Sequence, residues 1–116
     1  MVLPKIDEIL FPLLKLLEDG NIYSHKKIKD ELNRYFQLSS GEIDKIKSSG
    51  HETLFSNRIR WSKLYLKRAE LLTSTNPGYV KITFSGKKLL GTNQQKITTK
   101  FLKTNYPVFQ EWFKKT

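Results

Sequence analysis

Residues 54–72 read LFSNRIRWSKLYLKRAELL, and the way they divide into faces decides the fold. Projected as a helix at about 100° per residue, Phe55, Ile59, Ser62, Leu66 and Ala69 form one stripe, which Leu54, Trp61, Tyr65 and Leu72 widen. Arg60, Lys63 and Lys67 fall on the opposite side with Asn57 nearby, and Leu64 and Leu71 blur the division. One face is apolar enough to be held by a core, and the other is basic and expected to stand in open solvent. Ser56 is the expected N-cap, its hydroxyl accepting from a first-turn N–H. The helix is expected to stop near Thr73, where β-branched and turn residues begin. A basic helix pinned by an apolar back is what a reader of the DNA major groove needs. The alternative is a plain solvated cationic face.

Composition narrows the partners. The 116 residues suit one domain spanning 1–116, with a core that needs no disulfide or metal staple. Twenty-one Lys and Arg against 11 Asp and Glu leave a net charge of +10, and the pI is about 9.8. Such a balance favours a polyanion, whether DNA, RNA or an anionic membrane surface. The absence of cysteine removes disulfides, thiolate catalysis and cysteine-ligated zinc together. Residues 9–17 are the longest apolar run near the N-terminus, but Pro12 and Lys15 break it. It is too short to span a bilayer and lacks the flanks of a signal peptide. A cytoplasmic protein with no membrane partner is therefore expected.

The rest of the chain reads mainly as helix. Pro4 suits a first helical position. Ile6, Ile9, Leu10, Leu13, Leu14, Leu16 and Leu17 then keep a helical period up to Asp19-Gly20, with Pro12 expected to kink the helix or split off a lead-in turn. Asn21-Ile22-Tyr23 has room for no more than a bridging strand. Ser24 is expected to cap a helix over about 25–37, with Ile28, Leu32, Tyr35 and Phe36 inward. A third short helix is expected over 42–47, capped by Ser39 or Ser40. Pro77-Gly78 between Thr73-Ser74-Thr75 and Tyr79-Val80-Lys81-Ile82 predicts a β-hairpin. Ser85 is the expected cap of a helix over 86–90, which Gly91 ends. Tyr106, Phe109, Trp112 and Phe113 keep helical spacings after Pro107. They predict a last amphipathic helix that docks on the body or on a partner.

Helices, then a basic helix, then a hairpin is the order of a winged helix-turn-helix. The predicted fold class is mainly α with a small β-hairpin wing and extra N- and C-terminal helices. In such a motif the N-terminal residues of the recognition helix meet base edges. Asn57 and Arg58 occupy that end, with Arg60 one turn on; Asn suits adenine and Arg guanine. Lys63 and Lys67 suit phosphates. Arg58 is ambiguous, since it projects toward the apolar side, with the preceding loop or a phosphate at the helix start as its alternative partners. In the wing, Asn76 is placed to reach a minor groove or backbone and Lys81 the backbone.

The run at 54–72, followed by NPGYVKITFSGKKLL, resembles the N-terminal domain of Mrr-type restriction-system proteins. LPKIDEILFPLLKLLEDGNIYSHKKIKDELNRYFQLS resembles that domain's start, and KFLKTNYPVFQEWFKK its end. The most specific part is Asn57-Arg58-Ile59-x-Trp61-x-x-x-Tyr65-Leu66-x-x-Ala69-x-Leu71-Leu72 with Ile82-Thr83-x-x-Gly86 behind it. Where the family often has Gly between the Ala and the Leu-Leu pair, this chain has Glu70, which bears on the helix end and the wing angle. The resemblance implies a winged-helix domain that recognises double-stranded DNA, joined to a C-terminal nuclease domain that cleaves foreign or modified DNA. No nuclease half lies within these residues, so binding without cutting is expected, with the sensing of modified bases left open. The alternatives are a stand-alone transcriptional regulator of the same fold, or an interaction module that forms a homodimer through the C-terminal aromatic helix.

No catalytic set, metal site or cofactor is expected. His25 reads as an exposed first-turn residue and His51 as a loop residue, and two histidines without cysteine do not make a zinc site. Glu42 with Asp44, and Asp7 with Glu8, diverge on helices rather than pairing. No glycine-rich phosphate cradle or nucleophile elbow is present. The C-terminal aromatics offer stacking surfaces for single-stranded bases, but their helical spacing points to core packing.

Overall fold

The apolar stripe of residues 54–72 finds its partner in the N-terminal helix. The computed structural model describes residues 3–38 and 53–115. Helix α1 (Ile6–Leu16) buries Ile9, Leu10, Leu13 and Leu14, and it packs along α3 (Leu54–Arg68), which buries Phe55, Ile59, Ser62 and Leu66. All five residues of the expected stripe are buried, Ala69 included. Lys5, not Pro4, stands at the N-terminus of α1, where its N–H donates to Glu8 Oε1 at 2.9 Å. Pro12 lies inside α1, which runs on unbroken through it.

A 3₁₀ turn (Leu17–Asp19) leads to a short strand, β1 (Tyr23–Ser24), and then to α2 (His25–Phe36). Ser24 caps α2 as its position implies, accepting from the Lys27 N–H at 3.1 Å. Ile28 and Leu32 face inward, whereas Tyr35 is 65% exposed and not a core residue. The helix expected over 42–47, its caps Ser39 and Ser40, and His51 lie outside the described residues.

The start of α3 corrects a local expectation. Thr53, not Ser56, is the cap, and it accepts from the Ser56 N–H at 3.1 Å. The Ser56 hydroxyl instead lies 2.8 Å from His25 Nε2, tying the beginning of α2 to the beginning of α3. His25 is thus half-buried between two helices rather than a free first-turn residue.

Helix α3 also ends earlier than its pattern suggests, at Arg68. Glu70 adopts a left-handed φ of 64°. Its N–H returns to the Lys67 carbonyl and the Leu71 N–H to the Leu66 carbonyl, both at 2.9 Å. This paired closure favours glycine at the left-handed position, because any Cβ there crowds the following carbonyl. Glu70→Gly is expected to raise stability by about 1 kcal/mol. Urea melts of the two proteins check this, and an unchanged midpoint would mean that the helix end carries no strain.

Strands β2 (Leu72–Asn76) and β3 (Tyr79–Ile82) form the hairpin, and β1 adds antiparallel to β3, giving the order β1-β3-β2. Leu72 pairs with Ile82 and Thr73 with Lys81, with an irregularity between Ser74 and Asn76. Gly78, with φ 85°, closes the turn after Pro77. Val80 and Ile82 point into the core while Tyr79 and Lys81 face out. Thr83, rather than Ser85, then caps α4 (Phe84–Leu90), accepting from the Gly86 N–H at 3.0 Å.

Two helices close the chain. Helix α5 (Thr99–Asn105) is capped by Thr98 and was not apparent from periodicity; α6 (Pro107–Lys114) begins at the proline. Asp7 Oδ1 accepts from both the N–H (2.9 Å) and the hydroxyl (2.7 Å) of Thr99, fastening α5 to α1. The fold is therefore mainly α, with six helices among the described residues and a β-hairpin wing on a small three-stranded sheet. None of the described helices is long and apolar enough to cross a membrane.

Candidate nucleic-acid interface

Helix α3 and the hairpin stand side by side because only three residues separate them, and a groove of about 490 Å³ opens between them. From α3 it is lined by Asn57, Arg60, Trp61, Lys63, Leu64 and Lys67. Ser74, Gly78, Tyr79 and Val80 line it from the hairpin. Three cations one helical turn apart thus share one cleft, and none of the described residues that line it is acidic.

Of the seven residues singled out in the sequence, the groove gathers Asn57, Arg60, Lys63 and Lys67. Arg60 is exposed, and Asn57 and Lys67 are half-buried. Lys63 departs from expectation, because it is only 7% exposed. A helical projection treats the helix as isolated, but here the hairpin stands beside the basic face, so the Lys63 stem lies in the floor of the cleft. Burial, and then the charges of Arg60 and Lys67, hold its amine down at about 8.

Arg58 is drawn elsewhere. Its guanidinium donates to the carbonyls of Leu3 and Pro4 at 3.3 and 3.1 Å, clamping the N-terminal segment onto α3. Asn76 and Lys81 are exposed on the hairpin but do not line the groove. The Asn76 carbonyl accepts from the Ser74 hydroxyl at 3.0 Å, which shapes the turn.

Trp61, Ser74 and Tyr79 were missed as groove residues. Projection placed Trp61 on the apolar side, yet it is 40% exposed and borders the cleft. For Tyr79 the signal was present: in an alternating strand it falls out of phase with Val80 and Ile82.

The aromatic tail packs behind α3, away from the groove. The Tyr65 ring lies 5.5 Å from Phe109, 5.9 Å from Trp112 and 5.9 Å from Phe113, each edge-to-face. Arg68 stacks over Trp112 at 5.3 Å. The helix is thus braced from the rear while its front carries the basic residues.

A family model described as the Mrr N-terminal domain matches residues 7–92, which contain the whole groove. No curated protein and no solved structure matches the chain.

Proposed function

This chain belongs to the Mrr N-terminal domain family, and from that premise we propose that it binds double-stranded DNA as the targeting domain of a restriction system. The observation that carries the reading is the groove itself, in which Arg60, Lys63 and Lys67 line a cleft between a helix and a hairpin and no described lining residue is acidic. The major groove of B-DNA admits a helix of this kind, and a hairpin fixed beside it meets the adjoining strand. Asn57 and Arg60 lie nearest the start of α3 and are the base readers in this arrangement. Lys67 serves a phosphate, where a point charge suffices. Asn76 and Lys81 sit further out on the hairpin and meet the flanking backbone. Arg58 is a structural clamp rather than a reader, given its bonds to Leu3 and Pro4. The chain recognises, and a nuclease domain of the same system cuts. Phe109 on α6 is fully buried within the chain, so a homodimer through that helix would use its outer face, where Val108 is exposed.

The test is a salt-series gel shift on matched methylated and unmethylated duplexes. Each cation neutralising a phosphate adds about 0.9 to the slope of log affinity against log salt. Arg60→Ala with Lys67→Ala is expected to weaken binding about tenfold or more at moderate salt and to lower that slope by about 1, the share of the Lys67 phosphate contact. Both positions are solvent-accessible, so the fold should hold. Absence of duplex binding even at low salt, or a double variant that binds like the parent, defeats the proposal. A difference between the two duplexes assigns modified-base sensing to the Asn57–Arg60 end.

A further inference from the structure

Lys63 is the only buried lysine among the described residues. Its amine forms no hydrogen bond or ion pair with any of them, and the charges nearest to it, Arg60 and Lys67, repel it. An ammonium removed from water without a counter-charge opposes folding. A surface lysine escapes this by turning its head outward, but Lys63 is held in the groove floor by the helix that carries it. The cleft above is large enough for a phosphate group, at about 490 Å³, and is lined by cations, Asn57, Ser74 and Tyr79.

We propose that the groove floor is a discrete phosphate site in which Lys63, flanked by Arg60 and Lys67, is the principal ligand. In duplex DNA the occupant is one phosphodiester of the strand that runs between α3 and the hairpin. That identification rests on the duplex reading above; the phosphate chemistry itself does not. No described residue supplies a counter-charge, and a bound phosphate would restore to Lys63 the affinity for its proton that burial took away. Among the described residues, the other charged or titratable groups lining the cleft are Arg60 and Lys67 from α3 and Tyr79 from β3.

The linkage has a definite sign. The free amine titrates at about 8, and an anion beside it raises that value. Below pH 8 the amine is charged both with and without phosphate, and affinity does not change with pH through this group. Above pH 8 binding must take up a proton, so affinity falls as pH rises. Between pH 7 and 9 at fixed ionic strength, duplex affinity is expected to drop about tenfold. Lys63→Met, which fills the same space without charge, is expected to bind more weakly at pH 7 and to show no such drop. Lys67→Met should weaken binding yet keep it.

The experiment measures these affinities by fluorescence anisotropy. In parallel, the Lys63 Cε resonance of the parent is followed by NMR as pH is raised with and without inorganic phosphate. An upward move of the Lys63 midpoint with phosphate, together with the pH-dependent duplex affinity, supports the site. If the midpoint moves but duplex binding fails, the phosphate site stands and the duplex reading falls. Duplex binding with the same pH profile in parent and Lys63→Met, and a midpoint indifferent to phosphate, overturns the site and leaves the duplex reading in place. A chain that responds to neither ligand overturns both.

Discussion

Gly86→Ala is expected to destabilise the fold by about 3 kcal/mol, a large share of the roughly 5–15 kcal/mol that holds a domain of this size together. A Cβ at residue 86 would collide with the Leu71 carbonyl oxygen and stand 2.6 Å from Ile82 Cγ1. Neither neighbour can yield cheaply. The Leu71 carbonyl accepts the Thr83 N–H at 3.1 Å, the bond that joins the end of the hairpin to the segment between α3 and β2. Thr83 in turn donates its hydroxyl to the Glu70 carbonyl at 2.7 Å while accepting from the Gly86 N–H. Pushing α4 away to admit the methyl therefore strains three connections at once. Alanine's better helix propensity returns at most about 1 kcal/mol. Gly91→Ala is the control. The Cβ there meets nothing nearer than 3.4 Å, so its effect should stay within about 0.5 kcal/mol. Urea unfolding of the two variants decides the matter: if Gly86→Ala melts with Gly91→Ala, the close approach of α4 to Leu71 is not real.

The same cluster shows what Ile82-Thr83-x-x-Gly86 does behind the run at 57–72. Threonine supplies the cap, glycine permits the approach, and together they set the angle of the wing against α3. A sequence pattern records that pairing without showing what it is for. Other parts were legible directly. The stripe Phe55, Ile59, Ser62, Leu66 and Ala69 is buried because a period of 3.6 is a property of the helix alone. The hairpin was legible because Gly78 supplies the left-handed φ after Pro77.

What escaped was set by contacts far along the chain. Ser56 is as good a cap by type as Thr53, but its hydroxyl is engaged with His25, 31 residues away. Ser85 lost the same contest to Thr83, whose hydroxyl is fixed by the Glu70 carbonyl. Helix α5 buries only Leu102, too thin an apolar signal to recognise. Lys63 was expected in open solvent because no helical projection contains the hairpin beside it. Four of the seven candidate residues still converge on one groove, since a turn of the helix places Asn57, Arg60, Lys63 and Lys67 in line. Arg58 did not join them: it projects toward the apolar side, and its partners are the carbonyls of Leu3 and Pro4, 55 and 54 residues away, not the preceding loop.

Phe109→Ala is expected to cost about 3–5 kcal/mol, although Phe109 lies beyond the residues that the family model matches. The match ends at residue 92, yet Ile97, Leu102 and Phe109 are fully buried in the same hydrophobic cluster as Leu3 and Ile59. Phe109 stacks on Phe113 at 5.5 Å and meets the Tyr65 ring edge-on. Removing it leaves a cavity bounded by rings that cannot all collapse inward, which puts the cost at the upper end for large-to-small changes. Two outcomes separate a built-in tail from a docked one. If residues 97–114 complete the core, thermal unfolding of the variant remains one transition, displaced downward, and the amides of α1 and α3 lose protection along with those of α6. If the tail is an accessory, hydrogen exchange speeds up in α5 and α6 alone, and duplex binding survives unchanged. The first result is expected. Asp7 holds Thr99 from the opposite end of the chain, and Tyr65, on which the tail rests, belongs to the helix that carries the groove.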